Sequence, residues 1–330
     1  MRAIMFDRIG GPEVLRLGDL EKPAPRPGDI LVEVAYAGVN PADWKVREGW
    51  LADRFTYRFP FVPGFDAAGR VAAVGEGVTG FAVGDLVVTS PNQGNGEWGG
   101  YAEFVRVDAQ RSVRLPPGFD LVVAGGLRTA GVTAWEGIFE TGKVAAGQTV
   151  LVHGGAGGCG SFAIGLARML GARVATTCGP ANLDYVRSLG AELAIDYRQN
   201  RVKETLLAWA PGGVDYLLDT VGQGTIPDGV EMVKPGGMLA PIVTLIQNEP
   251  LADPGRAAAR GVRLGLAHTN QGRIGADLQG LVDALASGRI KPPQSELVPL
   301  ANAAEAQERV KQGHVRGKLV LQVADPASWR

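Results

Sequence analysis

The chain has little cysteine, little histidine and almost no net charge, and each shortage excludes a class of protein. Its 330 residues include two cysteines, too few for a disulfide framework or a cysteine-rich zinc module. The 33 basic and 34 acidic residues nearly cancel, so no global field attracts nucleic acid or an anionic membrane. This balance argues against a nucleic-acid partner.

Long apolar runs are also missing. No uncharged run reaches the ~18 apolar residues of a membrane span, so no membrane partner is predicted. The first apolar run is broken by Asp7, too early for a signal peptide. We therefore expect a cytoplasmic protein.

Glycine and proline, in contrast, are abundant, at 48 and 21 residues, and apolar residues make up 45% of the chain. This composition predicts a globular protein with many turns or close backbone approaches. Because single cores stop growing near ~250–300 residues, a chain of 330 residues is expected to form two domains.

The hydrophobic pattern changes along the chain. The first third predicts short strands over 30–36, 69–74, 85–89 and 101–107, separated by glycine and proline, which indicates a turn-rich β domain. From about residue 123 onward, apolar strands alternate with helical stretches, the pattern of a doubly wound parallel sheet in an α/β fold.

The second region supplies most of the predicted elements. Helices are expected over 133–141, 159–170 and 183–189, and then over 278–286 and 302–311. A last strand over 318–323 lies far from the nucleotide fold, so we expect it to join the sheet of the first domain. The remaining predicted strands are 149–153, 173–178, 192–197, 214–221, 238–244 and 261–269.

A glycine-rich loop joins the strand over 149–153 to the helix that follows it. Gly155, Gly157 and Gly160 have the spacing of the dinucleotide-binding fingerprint, in which the glycines allow a tight turn, approach of the pyrophosphate and helix–strand packing. The helix amino terminus then receives the phosphate charge. A merely flexible turn is the alternative, although it needs fewer glycines. The predicted cofactor-binding residues of the loop are Gly155, Ala156, Gly157, Gly158, Cys159 and Gly160.

The end of the second strand of this region bears on the choice of cofactor. An NAD site usually has an acidic residue about 20 positions after the loop, where this chain has Thr177, Cys178 and a glycine. Without a carboxylate to repel a ribose phosphate, NADPH is favoured over NADH. Asn182 and Tyr197 are further candidates for this end of the cofactor. Packing roles for Thr177 and Cys178, and a half-exposed strand-end role for Tyr197, are the alternatives.

Several segments along essentially the whole chain carry recognisable motifs. They are Gly38–Lys45, Pro63–Val71, Val83–Val87, Thr133–Gly137, the glycine loop, Lys234–Gly237 and His314–Lys318. Together they resemble the medium-chain dehydrogenase/reductase superfamily. The resemblance implies a GroES-like β-rich catalytic domain, residues 1-122 and 271-330, with an inserted Rossmann domain, residues 123-270.

The resemblance also bears on metal. Zinc alcohol dehydrogenases of this family have a cysteine ligand near the place of Asn40 and a histidine ligand near the place of Phe65. With two cysteines and three scattered histidines, no first shell for zinc is apparent. The resemblance therefore points to the zinc-free quinone oxidoreductases of the zeta-crystallin type and to the alkenal and enone reductases close to them.

The same resemblance implies the site residues. Asn40 and Asp43 are expected at the active-site mouth, and Lys45 is expected to orient substrate or stabilise an oxyanion. The alternatives are a turn at Asn40, a helix cap at Asp43 and a solvated charge at Lys45. The proton donor stays unassigned, with solvent as a candidate.

Three more residues are implied to contact cofactor. Thr133 matches a cofactor-contacting threonine of relatives, and Arg316 and Lys318 are expected to reach the cofactor phosphate from the tail. Their alternatives are a packing residue and a basic turn before the last strand. The resemblance also implies a homodimer, formed through an edge strand of the Rossmann sheet, for which residues 238–244 are apolar enough.

The sequence thus predicts an NADPH-dependent reductase that transfers hydride to a quinone or an α,β-unsaturated carbonyl without zinc. One alternative is a zinc-type alcohol dehydrogenase with an unrecognised metal site. The other is a non-enzymatic NADPH-binding protein, in which RNA binding is the weaker possibility because of the near-neutral charge.

Overall fold

The computed structural model describes residues 1–245 and 251–329 and has two compact units. The first unit contains residues 1–130, 272–286 and the chain from Gln294 onward, and the second contains residues 131–271 and 287–293. The domain boundaries predicted from the sequence, 122/123 and 270/271, stay a prediction. None of the described helices combines the length and apolarity needed to cross a bilayer.

Strands make up the centre of both units. Nearly all of them are short, and the eleven-residue β3 is the longest among the described residues. The strands are β1 Arg2–Met5, β2 Arg16–Asp19, β3 Asp29–Val39, β4 Ala67–Val74, β5 Leu86–Thr89, β6 Phe104–Asp108, β7 Ser112–Arg114, β8 Thr149–His153, β9 Arg173–Cys178, β10 Leu193–Asp196, β11 Val214–Asp219, β12 Val233–Pro241, β13 Arg263–Leu264, β14 Ser295–Pro299 and β15 Lys318–Gln322.

Helices connect most strands of the second unit and flank the sheet of the first. The helices are α1 Pro41–Arg47, α2 Leu121–Gly125, α3 Arg128–Trp135, α4 Gly158–Met169, α5 Leu183–Ser188, α6 Val202–Trp209, α7 Pro254–Ala259, α8 Ile274–Ala286 and α9 Ala303–Gln312. A π-helical segment, Glu136–Thr141, follows α3 directly. The helix predicted over 133–141 therefore begins earlier and changes type, with the Gly142 amide bonding to Gly137 O at 2.9 Å.

The first unit is built on a seven-stranded sheet. Its order is β14-β15-β3-β4-β5-β7, with β6 also paired to β3. The last strand, β15, pairs antiparallel with β3, which confirms the expectation that the tail joins the first domain's sheet. Alternate residues of β3, Ile30, Val32 and Val34, are buried with Leu319 and Leu321 of β15 in one core. Burial on this face fixes the register that brings the tail to the start of α1.

The second unit is the predicted doubly wound parallel sheet. Its order is β10-β9-β8-β11-β12-β13, and every pairing is parallel. Its inner strands are nearly continuous apolar runs because helices cover both faces, as Leu151 and Leu217 illustrate with no exposed surface.

Two strand predictions in this unit were wrong in detail. The strand predicted over 238–244 is β12, which lies between β11 and β13 and is not the edge. The strand predicted over 261–269 shrinks to β13, with one further bridge from Ile242 to Ala267. The chain enters β13 from α7 through Gly261, whose φ of +65° ends that helix.

Candidate functional site

The glycine loop, residues 154–160, connects β8 to α4 in the second unit. A Cβ at Gly155 would collide with the side chain of Thr176, and one at Gly160 would collide with the backbone of Gly154. At Gly157 the nearest protein atom to such a Cβ is Gly154 O, 3.6 Å away. Two of the fingerprint glycines are therefore needed for packing, whereas the third leaves open space at the amino terminus of a twelve-residue helix.

A buried histidine supports this loop. His153 Nδ1 lies 2.7 Å from Thr177 Oγ1, and the same oxygen accepts from the Gly154 amide at 3.0 Å. On the other side, Nε2 lies 3.0 Å from Thr225 Oγ1, whose hydroxyl donates to Gly222 O. Burial lowers the pKa of His153. A neutral ring protonated at Nε2 satisfies the whole chain of bonds, so Thr177 is engaged in positioning the loop.

The other residues predicted for the ribose end lie around the ends of β9 and β10. Burial raises the pKa of the Cys178 thiol to about 11, which suits packing rather than reaction. Asn182 precedes α5, and Tyr197 is 38% exposed just after β10. The structure adds Arg198, whose Nη2 would lie 3.9 Å from a Cβ at Gly179. The sequence analysis chose the neighbouring Tyr197 at this strand end and assigned no role to the cation beside it.

One carboxylate, Asp196, and one cation, Arg187, also belong to this region. Asp196, at the end of β10, accepts from the Arg198 amide at 3.0 Å, and it raises the pKa of Cys178 by a smaller amount than burial does. The charge of Arg187 acts in the opposite direction on the same thiol. The end of β9 itself carries no acidic side chain, and Asp196 of β10 is opposite Cys178 in the parallel pairing.

The predicted catalytic residues lie on α1 in the first unit. Asn40 precedes this helix and is 1% exposed, and its backbone amide donates to Asp43 Oδ2 at 2.8 Å. Asp43 therefore does cap the helix, as the structural alternative held. Lys45 is 4% exposed, with Nζ 5.3 Å from the ring centre of Trp44 and 5.9 Å from that of Trp50. It is thus not the solvated charge of the alternative reading.

Asp43 is fully buried and has more than a capping role available. The hydroxyl of Tyr101 donates to Oδ2 at 3.0 Å, and Gln93 Nε2 lies 3.5 Å from Oδ1. Burial, together with the nearby charge of Asp66, raises the pKa of Asp43 to about 7. The carboxyl group is therefore close to its midpoint at neutral pH.

Lys318 and Asp66 complete a buried polar cluster with Asn40. Lys318 Nζ donates to Asn40 Oδ1 at 2.5 Å and to Val39 O at 3.1 Å, and it lies 3.8 Å from Asp66 Oδ2. The other carboxylate oxygen of Asp66 accepts from the Thr129 amide at 2.9 Å. Sequence reasoning missed Asp66 altogether and assigned Lys318 to the cofactor.

The remaining predicted cofactor residues are dispersed. Thr133 lies half-buried on α3 in the second unit, which also holds the glycine loop. Arg316 is exposed in the first unit. The contacts of Lys318 compete with its predicted role at the cofactor phosphate. The cofactor roles of all three residues stay predictions.

The residues at the places of the zinc ligands offer little to a metal. Phe65 packs its ring 6.1 Å from that of Phe55 and 5.7 Å from the guanidinium of Arg128. Burial lowers the pKa of Arg128 to about 10, well above neutral pH. Among residues 1–245 and 251–329, no three histidine, cysteine or carboxylate side chains group closely enough to hold a metal ion.

Two family models match parts of the chain. Residues 26–117 match the alcohol dehydrogenase GroES-like domain, and residues 189–321 match a family described as zinc-binding dehydrogenase. These matches cover parts of both predicted domains and agree with the predicted fold.

Individual relatives match almost the whole chain. A chloroplastic NADPH-dependent alkenal/one oxidoreductase of Arabidopsis thaliana is 31% identical over 97% of this chain and 79% of its own length. The solved quinone oxidoreductase of Coxiella burnetii has a TM-score of 0.82 at 29% identity, covering 98% and 99% of the two chains. An NAD-dependent alcohol dehydrogenase has a TM-score of 0.90 at 27% identity, covering 98% and 100%.

Proposed function

Because the chain belongs to the medium-chain dehydrogenase/reductase superfamily and is an oxidoreductase, we propose that it is an NADPH-dependent reductase of quinones or α,β-unsaturated carbonyl compounds. The observation that carries this proposal is the glycine loop, packed at Gly155 and Gly160 and open at Gly157. The names of the alkenal/one and quinone oxidoreductase relatives support the substrate class.

The second unit has the features that NADPH requires. When bound, NADPH supplies a hydride from its nicotinamide ring. The missing side chain at Gly157 would let the pyrophosphate approach the backbone, and the free amide groups of the first turn of α4 would bind its charge. His153 and Thr177 hold the strand end from which the loop departs. Thr133, Ala156, Gly158 and Cys159 are proposed to line the same site.

Arg198 supports NADPH over NADH. Its guanidinium lies near Gly179, at the end of β9, where an NAD site usually has a carboxylate. A guanidinium binds a phosphate through two parallel hydrogen bonds. We assign the ribose phosphate to Arg198, with Tyr197, Asn182 and Cys178 around it.

The first unit supplies groups suited to an electrophilic substrate. A quinone or enone needs orientation and stabilisation of the developing oxyanion rather than activation by a metal. Asn40 is proposed to donate its side-chain amide to that oxygen. The Asp43 carboxylate accepts a hydrogen bond of 2.8 Å from the backbone amide of Asn40, and Lys45 adds a buried ammonium group on the same helix. The proton that completes reduction is assigned to solvent.

We propose that turnover needs no zinc, because the donor set does not fit the metal. Asn40 stands where the zinc enzymes of the family have a cysteine, and its Oδ1 already accepts from the Lys318 ammonium. A divalent cation there would lie beside a buried positive charge. Phe65, at the place of the histidine, has no atom that can bind it.

The assembly proposed is a homodimer. Within the described part of the second unit, β13 is one edge of the sheet, and Leu264 and Leu266 are 40% and 50% exposed there. An exposed apolar edge favours pairing with a second copy. The cytoplasmic location stays a prediction.

The first experiment measures the rate of NADPH oxidation with a panel of quinones and enones. The same rates are measured with NADH, and both series are repeated after treatment of the protein with a chelator. We expect turnover that prefers NADPH and survives the chelator. Loss of activity with the chelator would support the zinc alcohol dehydrogenase alternative. Tight NADPH binding without turnover would support a non-enzymatic binding protein, and failure to bind either nucleotide would overturn the proposal.

A variant links that activity to the loop. Gly157→Asp puts bulk and a negative charge where the pyrophosphate is proposed to lie, so turnover should be abolished. Activity equal to that of the native protein would remove the glycine loop as the cofactor site.

A further inference from the structure

The tail of the chain reaches the side chain of Asn40 through the sheet of the first unit. In the antiparallel pairing of β15 with β3, Leu319 is opposite Val39 and Val320 is opposite Gly38. Continuing this register by one residue places Lys318 opposite Asn40. The ammonium lies 2.5 Å from Asn40 Oδ1, although 278 residues separate the two in sequence.

This contact, together with the capping box in which the Asn40 side chain faces the backbone amide of Asp43, determines which way the Asn40 side-chain amide points. An ammonium group only donates, so the atom of Asn40 that faces it must be Oδ1 and Nδ2 must face away. The acceptor nearest to Nδ2 is Gly38 O at 3.4 Å, a long contact that uses at most one of its two protons. Among the described residues, the second proton of Nδ2 has no acceptor, so Asn40 retains a donor for another molecule.

Lys318 is itself fixed from two further directions. Its Nζ donates to Val39 O at 3.1 Å and lies 3.8 Å from Asp66 Oδ2, a buried oxygen without a hydrogen bond. Asp66 is anchored in turn by the Thr129 amide at 2.9 Å. The ammonium therefore has a counter-charge on one side and Asn40 on the other, and moving it would leave Arg128 as the remaining buried cation near Asp66.

We propose that Lys318 is a positioning residue that locks the Asn40 side chain with its amide donor turned toward the substrate oxygen. The inference rests on the proposed function, in which Asn40 stabilises the oxyanion, and it replaces the predicted contact of Lys318 with the cofactor phosphate. No proton leaves Lys318 in this role. Its contribution is to exclude the flipped amide, in which Oδ1 would repel the developing negative charge.

The test combines Lys318→Met, which removes the donor, with Lys318→Arg, which keeps one. Removing a single oxyanion donor typically costs about 100- to 1,000-fold in kcat, so a partly misoriented amide should cost at least about tenfold. We expect that loss in Lys318→Met, partial rescue in Lys318→Arg, and an NADPH Kd unchanged within about twofold. An NADPH Kd raised about tenfold with kcat retained would instead support the phosphate contact and overturn the proposal.

A double-mutant cycle separates positioning from a general structural effect. If Lys318 acts through Asn40, Lys318→Met has no further effect on kcat in an Asn40→Ala background, whereas an independent role makes the two losses multiply and contradicts the proposal. Because Lys318→Met removes one of the cations near Asp66, Lys318→Met with Asp66→Asn is the paired variant that leaves the net charge of the unit unchanged. The same loss of kcat is expected from it.

Orientation is also measurable without turnover. In protein labelled with ¹⁵N at asparagine side chains, the Asn40 amide signal, assigned with Asn40→Asp, should have chemical shifts displaced from those of free asparagine and protons that exchange slowly with water. Lys318→Met should move the shifts toward the free values and speed the exchange, and an unchanged signal would overturn the positioning role. If the native protein reduces no quinone or enone, the proposed function fails, and this signal still decides whether Lys318 fixes the amide.

Discussion

Replacing Gly157 with alanine is expected to weaken cofactor binding without lowering the stability of the folded protein. The backbone at Gly157 has a φ of −77°, which any residue adopts, and a Cβ there would lie 3.6 Å from its nearest protein neighbour, Gly154 O. Alanine also restricts the unfolded chain, so stability should be unchanged or higher by ~0.4–1 kcal/mol. The added methyl instead occupies the space proposed for the pyrophosphate.

The magnitude follows from the cost of overpacking. Forcing an extra methyl into a filled contact costs about 1–3 kcal/mol, so the NADPH Kd should rise roughly 5- to 150-fold. Fluorescence titration with NADPH measures the Kd, and thermal unfolding of the unliganded protein measures stability.

The matched control is Gly160→Ala, the same chemical change three residues later. Its Cβ would collide with Gly154 O and lie 2.7 Å from Gly155 Cα, so this variant should lose stability. If Gly157→Ala binds NADPH as tightly as the native protein while remaining folded, the pyrophosphate does not lie at this loop and the reasoning is refuted.

Three further outcomes are expected. Arg198→Ala should raise the KM for NADPH about 10- to 100-fold, because it removes a charge-assisted phosphate contact, and should leave the KM for NADH nearly unchanged. The control, Arg173→Ala at the opposite end of β9, should alter neither KM. Equal effects of Arg198→Ala on both nucleotides would contradict the assignment. The pKa of Asp43 is about 7 in the folded chain and 3.8 in the unfolded chain, so between these pH values the folded chain binds a proton that the unfolded chain has lost. The contribution of this residue to the free energy of unfolding therefore falls by up to about 4 kcal/mol as pH rises through that window. Asp43→Asn should flatten the pH dependence of urea unfolding between about pH 4 and 8, and parallel curves for the two proteins would argue against a raised pKa. Replacing Leu264 and Leu266 together by lysine should reduce the mass seen by light scattering to the 34.6 kDa of one chain, and a native protein that already has this mass would exclude the dimer.

Local patterns account for what the sequence predicted well. The glycine spacing and the alternation of strands and helices are properties of short segments, so the bounds of β8 and β9 agree with prediction residue for residue. The tail strand was expected in the first sheet because its pattern needs a sheet to join. Its register with β3 could not be read from the sequence, because many apolar alternations satisfy one buried face.

What the sequence could not provide was contact between distant residues. Lys318 in isolation is a basic residue at the start of a strand, and the role proposed for it follows only from the oxygens of Val39 and Asn40 around it. Arg198 was overlooked because its proximity to Gly179 depends on the parallel pairing of β9 and β10. At the π-helical turn, the Gly137 carbonyl also accepts from the hydroxyl of Tyr216, 79 residues away.

The tail strand also sets an order for assembly during synthesis. All six strands of the parallel sheet lie between Thr149 and Leu264, whereas the other sheet lacks β14 and β15 until Gln322 has been made. At roughly 5–20 residues per second, a ribosome needs about 3–12 s to cover that interval, during which the last residues of β3, from Tyr36 to Val39, lack the strand that pairs with them. The parallel sheet can therefore be complete while the other sheet still waits, and the Asn40–Lys318 bond is among the last contacts of the first unit's sheet to form. A chain released before Lys318 would carry a finished parallel sheet and an Asn40 without this bond.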